Sequence, residues 1–221
     1  MKTVILLFTL ILSFNNIAQT TVKDAGGNVY PVVKIGTQFW MGENLRTEVF
    51  ANGDSIPLVT SSRYWQEISL FAMDDEILDE IYPAMCYYNN VKSKNTALYN
   101  WYIVLDSRNI CPNGWHVPGY DEMEELITFL GDNTASQKLK SKINWNPIGL
   151  NTSGFNALPI GIRYGSGVFE DKNKVANFWT DTQGRSLSEL SGYTFIINNT
   201  NIVELRTVTK NVGSSIRCIK N

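Results

Sequence analysis

The period of apolar and polar positions changes several times along the chain, and each change marks an element. Residues 3–14 (TVILLFTLILSF) are apolar almost throughout, with Thr9 the one polar residue between Val4 and Leu12. The run is roughly 12 residues long, whereas a helix crossing a bilayer needs about 20. A charged start at Lys2, an apolar centre and a small residue, Ala18, before Gln19 are the layout of a secretory signal peptide. Residues 1–18 are therefore expected to be removed and residues 19–221 to form one working domain. No cysteine follows the apolar run, so the product is expected to be no lipoprotein.

Farther on the period becomes that of strands. Residues 29–35 are rich in β-branched side chains, follow Ala25-Gly26-Gly27-Asn28, and pass through Gly36-Thr37-Gln38 into Phe39-Trp40-Met41. This predicts successive hairpins. Between residues 61 and 80 the pattern weakens, and Met73-Asp74-Asp75-Glu76 reads as an exposed loop or short helix. Leu98, Trp101, Tyr102 and Leu105 fall at i, i+3, i+4 and i+7, one helical face, with a strand as the other reading of so short a run. After Pro118, Met123, Leu126, Ile127 and Leu130 repeat that spacing, with Asp121, Glu122, Glu124 and Glu125 early and Gly131 behind. Acidic residues at the positive end and a glycine stop are helix punctuation. Residues 138–141 read as a second short helix. From Phe155 onward short strands are broken by Gly, Asn and Ser, and the order of elements predicts an α+β fold.

Composition narrows the function classes. The 19 basic and 21 acidic residues nearly balance, so no basic patch points to nucleic acid and no acidic tail to a solvated arm. Charged residues make up 18% and aromatic ones 12%, which predicts a core built from packed rings. No second long apolar segment follows the first, so no transmembrane segment is expected. Cys86, Cys111 and Cys218 are far apart, which excludes a CxxC redox pair or a zinc cluster. Export allows a disulfide. Two readings stand, a bond between Cys111 and Cys218 or three free thiols; the bond would close most of the second half of the chain and leave Cys86 a buried thiol.

Catalytic motifs are missing. HExxH, GxSxG and a phosphate-cradling glycine loop are all absent. A triad would have to use His116, the only histidine, which stands between Trp115 and Val117 before a helix and reads as a hydrogen-bonded structural imidazole. No catalytic residue, metal ligand set or cofactor is expected. Asp54-Ser55-Ile56 fits a bacterial O-glycosylation acceptor triplet.

Several segments resemble one family. They are Val33-Lys34-Ile35-Gly36-Thr37-Gln38-Phe39-Trp40-Met41-Gly42-Glu43-Asn44-Leu45, Ala97-Leu98-Tyr99-Asn100-Trp101-Tyr102, Cys111-Pro112-Asn113-Gly114-Trp115-His116-Val117-Pro118, Gly154-Phe155-Asn156-Ala157-Leu158-Pro159, Gly161-Ile162-Arg163-Tyr164, Phe178-Trp179-Thr180-Asp181-Thr182 and Val212-Gly213-Ser214-Ser215-Ile216-Arg217-Cys218. In this order the chain resembles the Fibrobacter succinogenes major paralogous (FISUMP) domain over nearly all of residues 19–221. That family occurs in exported and cell-surface bacterial proteins, and its molecular function is not established. The segment before the acidic helix is similar to one in formylglycine-generating enzymes, which implies a C-type-lectin-like fold, two main helices on short antiparallel strands. The pattern departs at Pro118-Gly119-Tyr120-Asp121-Glu122-Met123, where the family's Thr and Trp are replaced by Gly119 and Met123.

The resemblance implies a secreted or surface-held recognition or adhesion module, not an enzyme, with a glycan as first ligand and a surface protein as second. A structural part of a surface assembly is one alternative. A formylglycine-generating-like enzyme is another, set back because the three cysteines do not reproduce its reactive pair. In the loop-rich second half, where a lectin-like domain carries its variable surface, Trp145, Arg163, Tyr164, Phe169 and Asp181 are the candidate ligand residues. Rings stack on sugar faces while Arg and Asp orient hydroxyls. Calcium is the one ion weighed, because Trp179-Thr180-Asp181 loosely echoes a ligand triplet, although the Glu-Pro-Asn loop is absent. Trp40 and Trp179 read as core.

Overall fold

The protein is described here from a computed structural model that covers residues 21–71, 83–184 and 190–221. The expected signal peptide, residues 1–18, and the Met73-Asp74-Asp75-Glu76 segment lie outside the described residues. Strands β1 (Thr21–Lys23), β2 (Val29–Ile35) and β3 (Gln38–Met41) form the expected hairpins, with Val33 opposite Trp40 and Ile35 opposite Gln38. Their two-residue turn starts at Gly36, whose φ of 62° is a conformation that glycine adopts without strain.

Helix α1 (Ser62–Phe71) arises where the apolar pattern weakens. Its start is fixed locally, since Ser61 Oγ accepts the Tyr64 N–H at 3.2 Å. Trp65 on this helix is fully buried and donates its indole N–H to Asn211 O at 2.8 Å. The single helix over residues 98–105 is not formed. Leu98 belongs to β5 (Ala97–Tyr99), paired with β4 (Met85–Tyr87), and only α2 (Tyr102–Leu105) is helical. Leu98 and Trp101 are buried while Leu105 is exposed, so the spacing matched a helix by coincidence of strand and turn.

After β6 (Trp115–His116) comes α3 (Tyr120–Leu130), which buries Met123, Leu126 and Leu130 and stops at Gly131 as the sequence predicts. The second short helix, α4, begins and ends earlier than predicted, at Ala135–Leu139. The later strands are β7 (Ile162–Arg163), β8 (Phe169–Glu170), β9 (Val175–Gln183), β10 (Ser191–Asn198), β11 (Val203–Thr209) and β12 (Ile219–Lys220). Three of them, β9 to β11, are longer than the short strands expected. The named strand pairs are antiparallel, in sheets ordered β1-β2-β3-β12-β6, β11-β10-β9, β4-β5 and β7-β8. The fold is α+β, and among the described residues no helix is long and apolar enough to cross a membrane.

Residues 213–218 join these sheets. Ser214 exchanges backbone hydrogen bonds with Tyr99 at 2.8 and 2.9 Å, Gly213 with Arg163 at 3.0 and 2.7 Å, and Ser215 O accepts the Trp179 N–H at 3.0 Å. Next in sequence, Arg217 is fully buried between the rings of Phe155 and Phe178, 4.4 and 5.4 Å from the guanidinium carbon. Its Nη1 donates to Met41 O at 3.0 Å and to Phe155 O, and its Nη2 to Asn44 Oδ1. Burial lowers its pKa to about 9, against the opposing charge of Glu43, so the group stays charged at neutral pH. Cys218 is bonded to Cys111 with Cα atoms 6.0 Å apart, and Cys86 is a buried free thiol.

The disulfide spans 107 residues, a loop for which chain entropy gives roughly 4–5 kcal/mol. Replacing both cysteines by alanine should therefore lower the unfolding free energy by about 2–5 kcal/mol in denaturant titrations; an unchanged midpoint would contradict the assignment. Arg217→Ala leaves three buried acceptors without their donor and should cost roughly 3 kcal/mol or more by the same measurement.

Candidate functional site

The N-terminal end of α3 meets the far end of β9, and backbone bonds set the join. Asp181 N–H donates to Pro118 O at 2.9 Å, and Tyr120 N–H donates to Thr182 Oγ1, also at 2.9 Å. The Thr182 hydroxyl in turn donates to Asp181 Oδ1 at 3.1 Å. Gly119 stands where the resembled family carries Thr, so the helix lacks its own hydroxyl cap, and Thr182 supplies one from the neighbouring strand. Glu122 completes the end by accepting the Gly119 N–H at 2.8 Å. Its carboxylate also meets His116 Nε2, 3.0 Å from both oxygens, while His116 Nδ1 lies 2.7 Å from Asn221 Oδ1.

A cleft of about 570 Å³ opens here, lined by Gly119, Tyr120, Asp121, Glu122, Asp181, Thr182 and Tyr193. This is within the size range of small-molecule sites. The Tyr120 and Tyr193 rings meet edge to face with centroids 5.0 Å apart. Gly119 marks how closely the groups approach: a Cβ there would lie 3.3 Å from Asp181 Oδ1, a tight contact, and 3.7 Å from Glu122 Oε2 and 3.9 Å from Thr182 Oγ1, ordinary ones. Three oxygens on two elements thus converge on one small space, and no Lys or Arg stands among the described lining residues.

The charges are held unevenly. The Asp181 carboxyl has a raised pKa because its surroundings desolvate it and the Glu122 charge adds to that, with the Thr182 hydrogen bond and His116 opposing. Desolvation disfavours the charged His116 imidazole, but hydrogen bonds with Asn221 and Glu122 and the charges of Glu122 and Asp181 outweigh it, so its pKa is raised. Chemically the cleft offers acceptors for hydroxyl or amine protons beside two aromatic rings.

Of the five sequence-derived ligand residues, only Asp181 lines this cleft. Trp145 is buried, donates its indole N–H to Ala157 O at 2.8 Å and packs under Lys140 Nζ at 4.7 Å. Arg163 is also buried, with Nη1 on Val59 O at 2.6 Å, Nη2 on Thr60 O at 3.2 Å and Nε on Gly167 O at 3.3 Å. Its plane sits over Trp65 and Phe169 at 4.4 and 4.8 Å. These two are core residues, because the ring and guanidinium that suit a ligand have already found partners inside the chain. Phe169 is half-buried against Tyr88, 5.4 Å between centroids, and the half-exposed Tyr164 donates its hydroxyl to Asp171 at 3.1 Å. Both lie on the β7–β8 hairpin, apart from the cleft. Trp40 and Trp179 are buried as expected.

Sequence reasoning missed Tyr120, Glu122, Thr182 and Tyr193. Glu122 was legible as a helix-start carboxylate, but Tyr193 reaches the cleft only because β10 pairs with β9. Among the described residues no group of three or more His, Cys, Asp or Glu is placed to hold a metal ion. Desolvation pushes the Cys86 thiol up to about 11, against the nearby Arg163.

Because the folded-state pKa of His116 is raised, the stability it contributes is fully present below its unfolded value of about 6.5 and is lost as pH rises through the folded one. Comparing wild type with His116→Gln in denaturant, the difference should be larger at about pH 5.5 than at about pH 8.5. The same difference at both values would show that the imidazole is not held by Glu122.

No curated protein and no solved structure matches this sequence. The family model described as the Fibrobacter succinogenes major domain matches residues 33–220, a span that takes in β3 to β12, the disulfide and the whole cleft. The chain belongs to the Fibrobacter succinogenes major domain family.

Proposed function

We propose that this protein is an exported, surface-acting recognition module without catalysis of its own, and that it binds a carbohydrate in the cleft between α3 and β9. The observation that carries the reading is the pairing of two tyrosine rings with the converging oxygens of Glu122, Asp181 and Thr182 in one cleft. A sugar presents an apolar face for a ring and hydroxyl protons for carboxylates. The same reading takes the fold as C-type-lectin-like, supported by the two longer helices on small antiparallel sheets. Export is supported by the apolar start of the sequence and by the Cys111–Cys218 bond, which suits an oxidising compartment.

The enzyme alternative is disfavoured by the same cysteines, two of which are bonded to each other while the third is buried and hard to ionise. A protein ligand is the second reading. It draws on the open groove that shares Asp121 with the cleft and carries Phe129, 62% exposed.

A glycan array, run with and without calcium, tests the proposal. Binding to a defined set of glycans is expected, and Asp181→Asn and Tyr193→Ala should each weaken it roughly tenfold, the loss of one good contact. Tyr164→Phe on the β7–β8 hairpin should leave it unchanged. Absence of binding to every glycan under both conditions would sink the carbohydrate reading.

A further inference from the structure

We propose that a second copy of this chain pairs with β11, edge to edge, to make a twofold dimer with one continuous six-stranded sheet. Strand β11 is the outer member of the β11-β10-β9 sheet. The hairpin closes with Asn198 N–H on Ile202 O at 3.2 Å, and the register runs unbroken from Ile197 opposite Val203 to Ser191 opposite Thr209. Antiparallel alternation then turns the N–H and C=O of Glu204, Arg206 and Val208 toward β10, and those of Val203, Leu205 and Thr207 outward. Among the described residues nothing bonds these outward groups. A strand of seven residues whose outer edge is unpaired among the described residues is a template for another strand.

The side chains choose the partner and the register. Centred on Leu205, a second β11 running antiparallel places Leu205 opposite Leu205, Val203 opposite Thr207, and Glu204 opposite Arg206. Every pair that must exchange hydrogen bonds is then made of outward-facing residues. Both opposite-charge pairs fall at the intervening positions, where side chains come closest. Within one chain Arg206 and Glu204 are only loosely paired, at 3.9 Å, with both side chains about half exposed, so they are free to exchange partners. Val203 and Leu205 are half-buried against the core cluster that holds Phe195, and the contact would cover what remains exposed. A shift of one residue would bring inward-facing backbone groups to the edge, so the register is specified by both backbone and charge.

The arrangement has a functional consequence that rests on the carbohydrate reading, although the dimer itself does not. Phe195 is opposite Leu205 and Tyr193 opposite Thr207, so Tyr193 shares the Leu205 face. A twofold axis perpendicular to the sheet puts both clefts on one side, which suits two-site attachment to a repeated surface ligand.

Sedimentation equilibrium of the mature chain tests this, with circular dichroism confirming that each variant folds. The wild type is expected to dimerise. Glu204→Arg and Arg206→Glu alone each replace two opposite-charge pairs with like-charge pairs and should weaken the dimer roughly tenfold. The double exchange, Glu204→Arg with Arg206→Glu, should restore it. Amide exchange at Val203, Leu205 and Thr207 should be slow in the wild-type dimer and fast in Arg206→Glu. A wild type that stays monomeric at every concentration, a dimer indifferent to the single changes, or a double exchange that fails to recover it would each overturn the proposal.

Discussion

The fold depends on a buried cation whose hydrogen bonds, among the described residues, go to carbonyl and amide oxygens and to no carboxylate. Arg217 is taken wholly out of water and is held by the carbonyls of Met41 and Phe155, the Asn44 amide oxygen and the faces of Phe155 and Phe178. A charge in such a place is tolerated only if its donors find partners in fixed positions. Four separate stretches must therefore be in place at once: β3, the loop after it, the segment around Phe155, and β9. One donor, Nε, has no partner among the described residues, so the arrangement has little slack. Asn44 passes the constraint on, since its Nδ2 donates to Ser215 Oγ at 3.0 Å.

From that point the rest of the architecture is short-range. Residues 213–216 bond to β5, β7, β9 and, through Ile216 O and Leu45 N–H at 2.9 Å, to the loop after β3. Cys218 then ties the last strand to Cys111 at the entrance to β6. Through β6 the tie reaches His116, whose imidazole bridges to Glu122 at the start of α3. The candidate cleft is thus built on the periphery of a rigid join. There a helix end is tied to a strand end by Thr182 and Pro118, and the two rings in contact come from α3 and β10.

Much of the fold was legible where one period ran long enough. The β2–β3 hairpin and α3 carry unambiguous spacing, and Gly36 and Gly131 punctuate them where expected. Helix α1 was not legible because Trp65 is a lone buried anchor in its first turns, and its cap, Ser61, looks like any loop serine. The run Leu98, Trp101, Tyr102, Leu105 mimicked a helix because a strand residue and a turn residue happened to share its spacing. The site was harder still. Trp145 and Arg163 have the chemistry of ligand residues, but burial decides whether that chemistry faces outward, and burial depends on partners such as Trp65 and Ala157 far away in sequence. Asp181 was identified by type. Its companions Gly119, Thr182 and Tyr193 were not, since a missing side chain, a hydroxyl and a strand tyrosine carry no motif.

The proposed ligand cleft lies beside the one histidine in the chain, and that histidine can report on it. With a glycan titrated into residues 19–221, the His116 imidazole resonances should move, and the His116 pKa should shift as Glu122 and Asp181 take up the ligand's hydroxyls. Binding that saturates while the His116 resonances and their pH titration stay where they were would contradict the assignment of the cleft between α3 and β9.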